Sequence, residues 1–215
     1  SRIILLNINK HFVQIRRGGV KVIIKKLIHI TYQILLIPIY ILSIPTVIII
    51  RLIRPWFLIR WHGLFSNRIG HFAKETELYC CEEDAKINSP KQRYINIFYL
   101  NHKLVCNKQL EKMWRRSLLI LPTWLLIPLS RINRFINIFL SGGNYHEIKR
   151  PYVNMMRDTH NLLERFQPHI SFTDEEELKG KKNLTEFGIP EDAKFVCLNV
   201  RDSAYLDRYK KTTLR

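Results

Sequence analysis

Residues 54–73, Arg54-Pro55-Trp56-Phe57-Leu58-Ile59-Arg60-Trp61-His62-Gly63-Leu64-Phe65-Ser66-Asn67-Arg68-Ile69-Gly70-His71-Phe72-Ala73, are the hinge around which the rest of the chain is arranged. The segment Pro55–Trp61 has two readings that both apply in part. Two tryptophans with interleaved arginines suit the headgroup level of a membrane, where amphipathic rings settle. The same residues form a first buried strand, with Arg54 and Arg60 at its ends. The chain therefore leaves a membrane surface here and enters a sheet. His62–Asn67 is turn-rich, and Ser66 or Asn67 is placed to cap a helix. Ile69, Phe72, Ala73, Thr76 and Tyr79/Cys80 then recur at helical spacing. Strand, turn and helix in this order are the unit from which α/β folds are built.

Upstream, the 24 residues Leu27–Ile50 contain no Lys, Arg, Asp or Glu. As a helix they reach roughly 36 Å, enough to cross a hydrocarbon core of about 30 Å. A signal peptide has a shorter apolar region and a small-residue cleavage site, and neither is present. A buried core helix seldom stays uncharged for so long with Ile and Leu on every side. Pro38 and Pro45 lie inside the run and are expected to bend it. Its flanks are basic on both sides, with Arg16, Arg17, Lys21, Lys25 and Lys26 before it and Arg51, Arg54 and Arg60 after it. Basic flanks favour the cytoplasmic side. Both ends are thus expected to face the cytoplasm, with a bent helix dipping into the inner leaflet.

Downstream, Tyr94–Leu100 reads as a strand, Asn107–Arg116 as a helix ending on basic residues, and Leu118–Leu121 as a buried strand stopped by Pro122. An apolar helical stretch runs on to about Leu140, broken near Pro128. Residues 151–166 look helical. Asp174–Phe187 is a helix with acids at its start, read as a helix N-terminus and not a metal site, and Gly188 stops it. Phe195–Val200 is a strand. Strands alternating with helices imply a parallel sheet covered on both faces, whose ligands bind beyond the carboxyl ends of the strands. That rule selects two loops, Gly63–Gly70 and Arg201–Tyr205. A parallel strand so near Arg215 needs more strands to pair with, and the chain opens on Ser1, so the sequence is expected to be part of a longer protein.

The 215 residues carry 35 Lys+Arg against 18 Asp+Glu, a formal net charge of +17. Twelve of the basic residues precede the first acid, Glu75, and the remaining 141 residues hold 23 basic and 18 acidic groups. A basic, greasy N-terminal third joined to a nearly balanced remainder differs from the tiled basicity of nucleic-acid binders. Cys80, Cys81, Cys106 and Cys197 form no C-x-x-C pair, which excludes a zinc ribbon and points to a reducing compartment. Asn183-Leu184-Thr185 matches a glycosylation acceptor only by chance.

Arg68-Ile69-Gly70-His71-Phe72-Ala73 with Thr76-Glu77-Leu78-Tyr79, Asn107-Lys108-Gln109-Leu110 with Met113-Trp114, and Phe195-Val196-Cys197-Leu198-Asn199-Val200-Arg201-Asp202-Ser203-Ala204-Tyr205-Leu206 together resemble a family of bacterial glycosyltransferases. The resemblance runs from about Arg51 to Leu206, and its first and last motifs are the specific ones. It implies a GT-B enzyme of surface-polysaccharide synthesis with two Rossmann-like domains. Residues 1–55 would be the basic membrane-anchoring segment, 56–168 the acceptor domain, and 169–215 the start of the donor domain. Asn199-Val200-Arg201-Asp202 also looks like the His-x-Arg-x-Asp motif of fucosyltransferase-like GT-B enzymes, whose Arg approaches the donor phosphates. Here Asn199 stands in place of the His, and Asp202 follows Arg201 directly.

The candidate site follows in physical terms. A guanidinium at residue 201, ending a buried strand, can bond a diphosphate bidentately and assist its departure. Ser203 offers a hydroxyl and Tyr205 a stacking face. Arg68 and Gly70 sit at a strand-to-helix turn where free N–H groups favour an anion. Glu77 or Glu75 is a candidate base for an acceptor hydroxyl, and His71 is an equal candidate by chemistry. The plainer reading leaves both acids as ordinary solvated helix residues. No Asp-x-Asp pair occurs in the sequence, which fits transfer without a metal or other cofactor, the nucleotide-sugar being substrate. The expected function is transfer of a hexosyl- or fucosyl-like sugar from a nucleotide-sugar to a lipid-linked or glycan acceptor. The expected location is the cytoplasmic face of the plasma membrane, held by anionic lipids, without nucleic acid. The competing class is a non-catalytic membrane-associated adaptor.

Overall fold

The computed structural model describes residues 2–87, 89–102, 104–149, 157–190, 193, 194 and 196; in the first helix, side chains are described from Gly19 onward except at positions 21, 25 and 29. The chain divides into two compact units, Ser1–Ser171 and Phe172–Arg215.

The first unit begins with α1, Arg2–Ile53, whose helical dihedrals break at Gly19 (φ 56°, ψ −155°). Its stretch Val22–Ile53 is long and apolar enough to cross a membrane by length and composition. The helix continues through Pro38 and Pro45. Around Pro45 two side chains take up carbonyls of the preceding turn: Ser43 Oγ donates to Ile39 O (2.7 Å) and Thr46 Oγ1 to Leu42 O (2.7 Å). Among the described residues 19–35 no side chain is buried, whereas Leu36, Ser43, Val47 and Ile50 are. Those four recur at 7-, 4- and 3-residue steps, which puts them on one helical stripe. The second half of α1 is thus one layer of the α/β body.

Strand β1, Leu58–Leu64, pairs in parallel with β2, Tyr94–Leu100, in the register Leu58↔Tyr94 to Leu64↔Leu100. Two single parallel bridges extend the sheet, Phe98↔Ile120 beyond β2 and Trp61↔Glu147 beyond β1. The order across the sheet is therefore Ile120, β2, β1, Glu147. Parallel pairing needs a crossover, and here it contains a π-turn, His71–Glu75, running into α2, Thr76–Asp84. On one face, Phe98, Leu100 and Leu64 pack with Phe72, Tyr79 and Cys80 and with Leu110 and Trp114 of α3, Lys108–Ser117. On the other face, Ile97 and Tyr99 meet Val47 of α1 and Leu126 and Leu129 of α4, Thr123–Phe139. The alternation of β2 thus feeds two cores. Asn107 caps α3, its Oδ1 accepting from Leu110 N (2.9 Å). A short helix α5, Leu162–Arg165, closes a third cluster of Leu78, Cys81 and Leu162.

The second unit contains α6, Asp174–Glu186. It opens with a capping box, Glu176 N donating to Thr173 Oγ1 (3.3 Å) and Thr173 N to Glu176 Oε2 (3.1 Å). It ends at Gly188 (φ 81°), with Ile189 N donating to Leu184 O (3.0 Å).

Several expectations are corrected. Residues 118–121 make one bridge at Ile120 and not a strand, with Phe98 N donating to Leu119 O (2.8 Å) and Leu121 N to Phe98 O (2.9 Å). Pro122 begins α4 two residues later and leaves no length for a ladder. Pro128 does not break α4, because it is fully buried and packing on both sides of the helix offsets the lost hydrogen bond. Of the helix expected over 151–166, only Leu162–Arg165 forms within the described residues. Asn161 takes a left-handed conformation (φ 50°), and Asp158 accepts from Leu162 N and Leu163 N (both 2.8 Å), so the helix starts there. The strand expected at 195–200 lies outside the described residues, apart from Val196.

Candidate functional site

The carboxyl ends of β1 and β2 are tied by Asn101, whose backbone N donates to Leu64 O (2.9 Å) and whose side-chain Nδ2 donates to Gly63 O (2.9 Å). A Cβ at residue 63 would collide with that amide, so Gly63 is required for the tie. Ser66 does not cap a helix. It is buried, its carbonyl accepts from Cys106 N (2.8 Å), and its hydroxyl donates to His102 O (3.4 Å). The turn after β1 is thereby pinned to the loop after β2. The position before the π-turn is Gly70, and no side chain caps it. Gly70 has ordinary helical dihedrals (φ −61°, ψ −44°) and nothing within 4 Å of a Cβ built on it. Neither strain nor crowding demands glycine there; the space above it is open. Arg68, just before it, is exposed.

In the π-turn, Phe72 is fully buried and its carbonyl accepts the Trp114 indole N–H (2.9 Å). That bond anchors the widened turn, a backbone form common at functional sites. It also sets its first and last side chains together: His71 Nδ1 is hydrogen-bonded to Glu75 Oε1. Glu75 is buried, and His71 is partly open to solvent. With a carboxylate holding Nδ1–H, the lone pair of the ring is on Nε2, where a proton can be accepted. The pair lines a crevice with His62, Phe65, Thr76 and Tyr79, whose interior holds about one water molecule. His62 Nδ1 is bonded to Ile148 O (3.1 Å), the residue after the Glu147 bridge. The Phe65 ring sits 5.9 Å from that of His71 and 6.4 Å from that of His102. Burial pushes the Tyr79 hydroxyl far above its usual range, with Glu83 adding to the effect, so it stays protonated.

Glu77 does not join this pair. Its Oε1 accepts from His169 N (3.0 Å) and meets His169 Nδ1 (2.7 Å), while Asp84 Oδ2 meets His169 Nε2 (2.9 Å). Burial alone would lower the pKa of His169, but the two carboxylates outweigh it and raise it. Glu77, Cys81 and His169 bring one oxygen, sulfur and nitrogen each within 4.8 Å of one another. Burial, with the charge of Glu77, pushes Cys80 up to about 12 and Cys81 up to about 11, so both are thiols at neutral pH and neither is an active nucleophile.

Of the residues expected at the site, the structure brings together His71 and Glu75, gives Glu77 a different partner, and leaves Arg68 and Gly70 at the open start of the turn. Asn199, Arg201, Ser203 and Tyr205 lie outside the described residues. Sequence reasoning passed over His62 and Tyr79. The period-2 alternation Arg60, His62, Leu64 held the signal for the first, and the seven-residue spacing from Phe72 held it for the second.

The fold and site define a mixed α/β protein with a histidine–carboxylate pair at the end of a parallel strand and an apolar helix at its N-terminal side. No protein-family model, curated protein or solved structure matches the chain.

Proposed function

We propose that the protein is a membrane-associated glycosyltransferase whose acceptor side is built on the His71–Glu75 pair. The observation that carries this reading is the position of that pair at the carboxyl end of β1, in the crevice between β1 and the π-turn and α2. The order Ile120, β2, β1, Glu147 runs outward in opposite directions from β1, as in a doubly wound Rossmann-like sheet, and such sheets bind ligands at that reversal. His71 takes the proton of an acceptor hydroxyl as its oxygen attacks the anomeric carbon. The bond from that carbon to the phosphate oxygen breaks, and a nucleoside diphosphate leaves. Glu75 holds the imidazole in the tautomer this needs and stabilises its charged form.

The remaining assignments rest on the resemblance and on sequence chemistry. Arg201, with Ser203, Tyr205 and Asn199, is the expected holder of the donor diphosphate, and Arg68 and Gly70, at the open start of the π-turn, are expected to favour an anion. No metal or cofactor is required for these roles. The basic N-terminal third holds the enzyme on anionic lipid at the cytoplasmic face, within reach of a lipid-linked acceptor, at about 1 kcal/mol for each Lys or Arg near the surface. The small interior of the crevice favours the second reading, a non-catalytic adaptor, if nothing opens it.

Release of nucleoside diphosphate from a panel of UDP- and GDP-sugars, measured on protein-bearing membranes with native lipid acceptors, separates the two. His71→Gln is expected to lower turnover by about 10²–10⁴-fold, and Glu75→Gln less. Wild-type turnover in both variants overturns the assignment of the pair. Absence of any turnover in a full-length wild-type version, carrying the rest of the expected donor domain, favours the adaptor.

A further inference from the structure

The outward surface of α4 is apolar, unlike that of α2 or α3. In its last turn and just beyond it, Phe135, Ile138, Phe139 and Leu140 are 59%, 74%, 79% and 60% exposed. Phe135, Ile138 and Phe139 are spaced i, i+3, i+4 and form one face, and the Phe135 and Phe139 rings meet edge to face at 5.6 Å. An isolated exposed apolar residue needs no explanation, but a contiguous aromatic patch does.

α4 packs beside α1, whose outward residues are also apolar. Arg131 Nη1 donates to Tyr40 Oη (2.6 Å). Arg51 reaches across with Nε to Asn133 Oδ1 (3.0 Å), Nη2 to Asn133 O (2.7 Å) and Nη1 to Leu140 O (2.8 Å). The end of α4 is thereby clasped to the end of α1. The charge on this surface is mainly positive: the sequence has no Asp or Glu before Glu75 and none between Glu111 and Glu147. The partners of Arg51 and Arg131 are neutral oxygens, and Arg134 is balanced by Glu147 (2.6 Å). Trp56 (75% exposed) and Tyr145 (62%), which lies under the Arg54 guanidinium (4.3 Å to the ring centroid), add aromatic rings beside the basic end of α1.

We infer that α4 is a second membrane-contacting element, which seats the α/β body on an anionic bilayer with Phe135, Ile138 and Phe139 in the acyl boundary and Arg51, Arg54 and Arg131 at the headgroups. This rests on the membrane reading of α1 and deepens it. The reason is mechanical. The inner stripe Leu36, Ser43, Val47 and Ile50 belongs to the α/β body, so α1 cannot carry those turns through a bilayer alone. Whatever depth they reach, α4 shares. An interfacial seat lets the arginines stay solvated while the apolar residues are buried. Full crossing would carry Arg131 and Arg134 into hydrocarbon at a cost of about 2.5–3.5 kcal/mol each.

The test uses the full chain with Cys106 and Cys197 replaced by Ser, Cys80 and Cys81 being buried. An environment-sensitive fluorophore is placed at Leu35 on α1, Ile138 on α4 or Lys108 on α3, and each protein is bound to phosphatidylglycerol/phosphatidylcholine vesicles containing brominated lipid. The labels at 35 and 138 are expected to lose most of their emission to bromine, and the label at 108 to keep it. Quenching at 35 without quenching at 138 overturns the inference and leaves α1 as a lone anchor. Quenching at neither position overturns the membrane reading as well. The double variant Ile138→Asp, Phe139→Asp, with an unchanged far-UV spectrum, is expected to lower vesicle retention at least about tenfold; unchanged retention also overturns the inference.

Discussion

Two helical layers cover the sheet, and they are built on different terms. The layer formed by the π-turn, α2 and α3 turns apolar residues inward and binds its polar groups in pairs. Trp114 donates to Phe72 O, Glu75 holds His71, Glu77 and Asp84 hold His169, and Glu111 holds Lys108 and Arg115. The layer formed by α1 and α4 contains no acid and shows Ile, Leu and Phe to the outside. Of its cations, Arg51 closes on backbone and amide oxygens, Arg131 on the Tyr40 hydroxyl and Arg134 on Glu147. One layer is finished for water and leaves a crevice holding His71 and Glu75 at its edge; the other leaves an apolar surface open. A single sheet can serve both because the side chains of β2 alternate between them.

Three measurements can break or sharpen this contrast. The largest effect is expected at Trp114, which is fully buried and anchors the π-turn. Trp114→Ala should cost about 3–5 kcal/mol in urea unfolding and abolish the His71–Glu75 geometry. A cost below about 1 kcal/mol would mean that the water-facing layer does not organise the fold. Next comes Arg51→Ala, which cuts three hydrogen bonds between α1 and α4. In detergent it should cost about 1.5–3 kcal/mol. No loss would show that α1 is a detachable anchor, not a layer of the body.

The smallest effect is in pH dependence, where two histidines act with opposite sign. The pKa of His169 is raised by Glu77 and Asp84 against its burial, with the Cys81 thiol as its other close neighbour. Its contribution is full below the ordinary value of about 6.5 and is lost as the pH rises through the raised native value. The pKa of His146 is lowered by burial, with Arg51 and Arg54 adding to the effect against its bond to Ile59 O (2.8 Å). Its contribution is present above about 6.5 and lost as the pH falls toward the depressed native value. Stability measured against pH should therefore lose its alkaline decline in His169→Gln and its acid decline in His146→Phe. Parallel curves for the wild-type and both variants would remove both histidines from the account.

The legible part of the fold was the part fixed by local chemistry. The apolar run of α1, the β-branched strand Tyr94–Leu100, the Asn107 cap and the acid-first helix ending at Gly188 each carry their signal within a few residues. The failures share a cause. Leu118–Leu121 has strand composition but too little room before Pro122. Pro128 would break an exposed helix, yet α4 is packed from two sides. At the site, the turn after β1 and its helix start were readable, and so were His71 and Glu75 as chemistry. Their i,i+4 spacing was readable as well, but the π winding of the turn was not, because it depends on Trp114, 42 residues from Phe72.

The sequence by itself determined that a basic, uncharged-cored helix precedes an α/β body, since charge and hydropathy are properties of the chain. Only the tertiary structure decided that half of that helix belongs to the body, that α4 lies beside it, and that Glu77 is taken by His169, 92 residues away. Those outcomes come from contacts between residues far apart in sequence, where each side chain's partner is set by how the layers pack.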